Sequence, residues 1–95
     1  MNEVTVRTEE QTKTGWRFVV DVSDPDGETH HTVELDRDYW DLLTGGSVHP
    51  ERLATESLKF LLDHEPKESI LETFNIRVIQ DYFPEYEDNI RERIK

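Results

Sequence analysis

The sequence predicts an α+β fold: a three-stranded antiparallel β-meander over residues 1–36, followed by three to five short helices over 37–95 packed on one face. Three observations carry this. Residues 16–22 alternate with period two. SDPDGE at 23–28 is a concentrated turn signal. The apolar period changes from two to helical at Asp36. Strands first and helices after is the order of an α+β domain, and 95 residues fit one domain, 1–95.

Taken in order, residues 3–9 alternate weakly, with Val4 and Val6 on one face, and Thr12–Gly15 reads as a turn. In WRFVVDV, Trp16, Phe18, Val20 and Val22 share a face. Pro25 presets φ and Gly27 tolerates positive φ, so the loop closes a hairpin onto 29–35, where His31, Val33 and Leu35 share a face. Asp36 is placed to cap a short helix through Tyr39, Trp40, Leu42 and Leu43 that ends at Gly45–Gly46. Pro50 suits the first turn of a second helix with an apolar stripe of Leu53, Ala54, Ser57, Leu58, Leu61 and Leu62. Pro66 stops that helix near His64. Lys67–Thr73 is expected to be helical, with Ile70, Leu71 and Phe74 inward; Asn75 caps a turn, and 85–95 forms a last helix after Pro84. The predicted core is Trp16, Phe18, Val20, Leu35, Leu42, Leu58, Leu61, Ile70, Phe74 and Ile79.

Composition narrows the function. Twenty-two Asp and Glu against 11 Lys and Arg give a net charge of −11, spread over both halves. Phosphate binding needs clustered cations, so nucleic acid and anionic membranes are not expected partners. No apolar run approaches the ~20 residues that span a bilayer, and MNEVTVRTEE lacks the basic and apolar regions of a signal peptide, so a cytoplasmic location is expected. Without cysteine there is no disulfide, thiolate or Cys-bound zinc. Only 34% of residues are apolar, which implies a thin core that a homodimer would help.

No catalytic, cofactor or metal residue stands out. His30 and His31 point to opposite faces of a strand, and His49 and His64 lack zinc-motif spacing. Asp24, Asp26 and Glu28 recur at every second residue, but Pro25 and Gly27 depart from a calcium-loop pattern. Gly45-Gly46-Ser47 lacks the lysine of a phosphate loop and reads as helix capping. The one candidate partner surface is the aromatic stretch with Tyr82, Phe83 and Tyr86, at least two of which are expected to pack inward.

Two resemblances add to this. Residues 31–64 run strand, short helix, Gly turn, longer helix, which resembles the ribbon-helix-helix family of DNA-binding dimers. The ribbon would present Thr32, Glu34 and Asp36, the wrong charge for a groove, and the resemblance fails if 29–35 pair with 16–22. Phe60-Leu61-Leu62, Glu65-Pro66-Lys67-Glu68-Ser69-Ile70-Leu71, Phe74, Ile76, Val78-Ile79 and Tyr82-Phe83-Pro84-Glu85-Tyr86-Glu87 resemble a family of short prokaryotic proteins of uncharacterised function with a strand-rich N-terminal half. That resemblance covers roughly residues 30–90, implies a shared fold, and brings no activity. The expected function is therefore a non-enzymatic interaction or adaptor domain for a basic protein. The alternative is an antitoxin-like regulator with a ribbon-helix-helix-like unit.

Four Lys among nine Asp and thirteen Glu is also the bias of a halophilic cytoplasm, where salt screens self-repulsion. The melting temperature is expected to rise from low to molar KCl. A flat curve would refute the salt-loving origin.

Overall fold

The central strand pair sets the architecture. In this computed structural model, which describes residues 2–95, β2 (Gly15–Asp24) and β3 (Gly27–Asp36) pair antiparallel along their whole length, from Gly15↔Asp36 to Asp24↔Gly27. The connection is tighter than SDPDGE suggested. Only Pro25 and Asp26 lie outside the strands; the Asp24 carboxylate accepts the Asp26 N–H at 2.8 Å, and Gly27 adopts φ 145°.

β1 (Glu3–Gln11) adds antiparallel to β2 as an edge strand, with a bulge between Val6 and Thr8. The bulge changes which parity faces inward. Val4 and Val6 oppose Val22 and Val20, whereas beyond it Glu9 and Gln11 oppose Phe18 and Trp16. Gly15 stands where the β1–β2 turn meets the end of β3. A Cβ there would sit 2.0 Å from the Leu35 carbonyl oxygen, so no other residue fits this approach.

After β3 the chain forms α1 (Arg37–Thr44) and α2 (Pro50–His64), then returns as β4 (Thr73–Asn75), parallel to β3. The sheet therefore has four strands in the order β1-β2-β3-β4, not three. The two helices supply the crossover that a parallel pair requires. A 3-10 turn at Ile76–Val78, then α3 (Ile79–Tyr82) and α4 (Tyr86–Arg93), complete the chain. No helix of the described residues is long and apolar enough to cross a membrane.

Caps follow the sequence closely. Gly45 takes the left-handed conformation after α1, with φ 65°, and returns its N–H to Asp41. Pro50 starts α2 with His49 as cap, whose Nδ1 accepts the Glu51 N–H at 3.1 Å. Asn75 accepts the Arg77 N–H. Asp36 holds the cap position without a capping hydrogen bond; its carboxylate goes to Arg77 and Asn75 instead.

Helices cover one sheet face. Phe18, Val20, Val22, Val33 and Leu35 meet Leu53, Ala54, Leu58 and Leu61 of α2, with Ile76, Tyr86 and Ile90 closing the far end. Trp16 contacts Trp40 edge-on at 5.2 Å and lies under the Arg37 guanidinium. The other face is open. On it, Asp21 is buried between Arg7 and His30, at 3.3 and 2.7 Å.

Three further expectations about the elements need correction. Leu42 is 60% exposed, because Tyr39, Trp40 and Leu43 centre the inward face of α1 and Leu42 lies about 100° around the helix from it. Lys67–Thr73 is not a helix: only Lys67–Ser69 form a 3-10 turn, and the rest is extended onto β4. Finally, 29–35 pair with 16–22 in the same chain, so this strand is not free to build an intermolecular ribbon, and the ribbon-helix-helix reading fails.

Phe18→Ala or Leu61→Ala should lower unfolding free energy by ~2–5 kcal/mol in chemical denaturation. Leu42→Ala should change it by less than about 0.5 kcal/mol. Equal losses at all three would contradict this core.

Candidate functional site

Two prolines shape the end of the molecule where a groove opens. Pro66 forces the chain away from the axis of α2, and Pro84 follows directly on the short α3 and its cap Phe83. Between them, the C-terminal end of α2, the 69–74 segment and α3 enclose a cavity of about 340 Å³. Its walls are mainly carbon: Leu61, Ile70, Phe74, Val78, Ile79 and Phe83. Glu65 and Ser69 contribute polar groups. Leu71 and Tyr82 also line it, yet are 53% and 68% exposed.

The three aromatics singled out by sequence divide between surface and core. Tyr82 is exposed at the groove. Phe83 is half-buried, edge-on to Phe60 with ring centroids 5.8 Å apart, and 4.8 Å from the His64 ring. Tyr86 does not belong to a surface. It is fully buried, 5.2 Å from the Phe60 ring centroid, and its hydroxyl meets Ser57 Oγ at 2.6 Å. The turn at Pro84 puts Tyr86 at the start of α4, where it faces α2. Burial, only partly offset by the Ser57 hydrogen bond, pushes its pKa up. Leu71 was expected inside. In an extended segment neighbours face opposite ways, so with Ile70 buried Leu71 points outward.

The groove wall is tethered to the sheet. Glu72 C=O accepts the Thr32 N–H at 2.7 Å, and Leu71 C=O lies 2.8 Å from His31 Nδ1. His31 is itself buried in a core-facing position, its Nε2 2.9 Å from Thr29 Oγ1. At the start of the wall, the Lys67 side chain is 2% exposed and its Nζ donates to both Asp24 oxygens at 2.9 Å and to Glu68 at 2.5 Å. The cation held by the Asp24 loop is thus the chain's own ammonium group. Its hydrogen bonds to Glu68 and Asp24 raise the pKa of Lys67, and Lys67 lowers those of Asp24 and Glu68.

Among the described residues, two groups of His and carboxylates bring ligand atoms within 4.8 Å of one another: the exposed Glu9, His49 and Glu51, and the buried Asp21 with the exposed Glu28 and His30. Sequence spacing missed both, since each is assembled across strands or between a strand and a helix. Each already has an occupation. His49 caps α2, and Asp21 joins Arg7 to His30, whose pKa the Asp21 hydrogen bond raises.

In comparisons with known proteins, the chain matches no family model, no curated protein and no solved structure.

The Lys67 tether makes a pH prediction. Asp24 and Glu68 have folded-state values below their ordinary 3.8 and 4.5, so their contribution is complete above those values and is lost as pH falls through the lowered ones. Acid melting of the wild type should therefore begin below about pH 4.5. Asp24→Asn should lower stability at neutral pH and flatten the acid limb. An unchanged acid limb in the variant would remove Asp24 from this role.

Proposed function

We propose that the chain is a non-enzymatic protein-interaction domain whose partner surface is the groove beside Tyr82 and Phe83, and that its partner is a basic protein. The observation that carries this is an apolar groove flanked by two large exposed apolar side chains, Leu71 and Tyr82, with few polar groups converging on it. A reaction centre would bring together a nucleophile or base, its orienting partner and an electrophile-binding group. The polar side-chain groups of this lining are those of Glu65 and Ser69 and the Tyr82 hydroxyl. The net charge of −11 favours a basic partner through complementary long-range fields. The antitoxin-like alternative loses its ribbon-helix-helix unit; what remains of it, a basic protein partner, coincides with this proposal.

The test is site-specific photocrosslinking in the native cell. A benzophenone amino acid replaces Tyr82 or Leu71, and as control Val19, which is 37% exposed on the open sheet face. Positions 82 and 71 are expected to yield a common adduct with a basic protein. The purified partner should then lose at least tenfold affinity for Leu71→Asp. No adduct at either position, or equal labelling from position 19, overturns the proposal.

A further inference from the structure

We propose that the groove reads a paired signature in its partner: an apolar side chain that enters the cavity and a Lys or Arg beside it that binds Glu65. This rests on the groove being the partner surface.

Size argues for a side chain rather than a broad face. A cavity of about 340 Å³ lies at the small end of the ~300–1,000 Å³ range of ligand pockets. Its inner wall of Leu61, Ile70, Phe74 and Ile79 offers carbon, so the group that enters must be apolar.

Charge supplies the second half. Glu65 is the C-terminal cap of the 15-residue α2 and lines the groove. A carboxylate there faces the negative end of the helix dipole, the unfavourable end for an acid. The cationic groups nearby are committed elsewhere. His64 Nδ1 lies 3.0 Å from the Phe60 carbonyl and its Nε2 lies 3.4 Å from Glu85, while Lys67 is held by Asp24 and Glu68. Among the described residues, the Glu65 carboxylate has no hydrogen bond or ion pair, and neither do the carboxylates of Glu72 and Asp81, next in sequence to Leu71 and Tyr82. An acid at the negative helix end, half-buried beside carbon, has its charge relieved by a cation brought by the partner. A long Lys or Arg stem can lie on the apolar wall while its head reaches the carboxylate.

The experiment is a random-peptide display selection against the full chain, followed by anisotropy titrations of synthetic peptides and amide chemical-shift mapping. Peptides carrying an aliphatic or aromatic residue within a few positions of Lys or Arg are expected, with shifts at Ile70, Phe74 and Tyr82. Glu65→Gln should weaken them about tenfold and leave peptides whose cation is replaced by citrulline or glutamine unaffected. Its melting temperature should not fall, since removing an acid from a helix C-terminus relieves repulsion. Binding should weaken as salt rises.

Peptides that shift the groove and are lost in Leu71→Asp, but show no basic preference and ignore Glu65→Gln, overturn the Glu65 inference and leave the groove reading standing. Selected peptides that shift other surfaces, or none selected, overturn both. Hexylamine is titrated in parallel. If it binds with the same Glu65 dependence while no peptide occupies the groove, a free alkylamine is the ligand and the peptide assignment is wrong.

Discussion

The unpaired edge of β3 decides where the second half of the molecule lies. A strand bonded on one side leaves a row of amide and carbonyl groups that must find partners or water. Here the chain returning from α2 supplies them. Thr32 N–H takes the Glu72 carbonyl, β4 pairs along Thr32–Glu34, and His31 holds the Leu71 carbonyl from below. Lys67 anchors the same segment to the β2–β3 turn. The 69–74 wall is positioned by this edge, and the groove is the space left between that wall, the end of α2 and α3. Three kinds of contact fix it: backbone pairing, a buried imidazole and a buried ammonium.

Much of this was legible because it was local. The period of β2, the Asp-Pro-Asp-Gly turn, Pro50 at the start of α2 and Gly45 after α1 each act within a few residues. β4 was not legible. Thr73-Phe74-Asn75 is too short for a period, and it is a strand only because β3 is there to receive it. Lys67 was equally opaque: it lies 43 residues from Asp24 in sequence, and nothing in Glu-Pro-Lys-Glu distinguishes a buried lysine from a solvated one. Of the three aromatics singled out, Tyr82 lies exposed and Phe83 half-buried at the groove, whereas the burial of Tyr86 was not legible because it depends on Phe60 and Ser57 of α2. Leu71 and Glu65 acquire meaning only once the groove exists.

The acidity has two roles. Where a cation is at hand, carboxylates build structure: Asp21 between Arg7 and His30, Asp24 and Glu68 around Lys67, Asp36 and Asp38 on Arg77. With 22 acids and 11 Lys and Arg, one-to-one pairing leaves a large surplus. That surplus carries the long-range field, which raises the encounter rate with cationic surfaces and is itself weakened by salt.

β1 is the long edge of the sheet, and the bulge near Arg7 has a consequence for how the molecule behaves in bulk. Stacked, in-register copies of an edge strand are the seed of cross-β fibres, which require flat strands and tolerable side-chain ladders. β1 is bent at Arg7, and a stack would align Glu3 with Glu3, Glu9 with Glu9 and Glu10 with Glu10 along the fibre axis. Each added layer would repeat the same repulsion. Sheet extension at this edge is self-limiting, and the strand can remain solvent-facing at high concentration without templating its own kind.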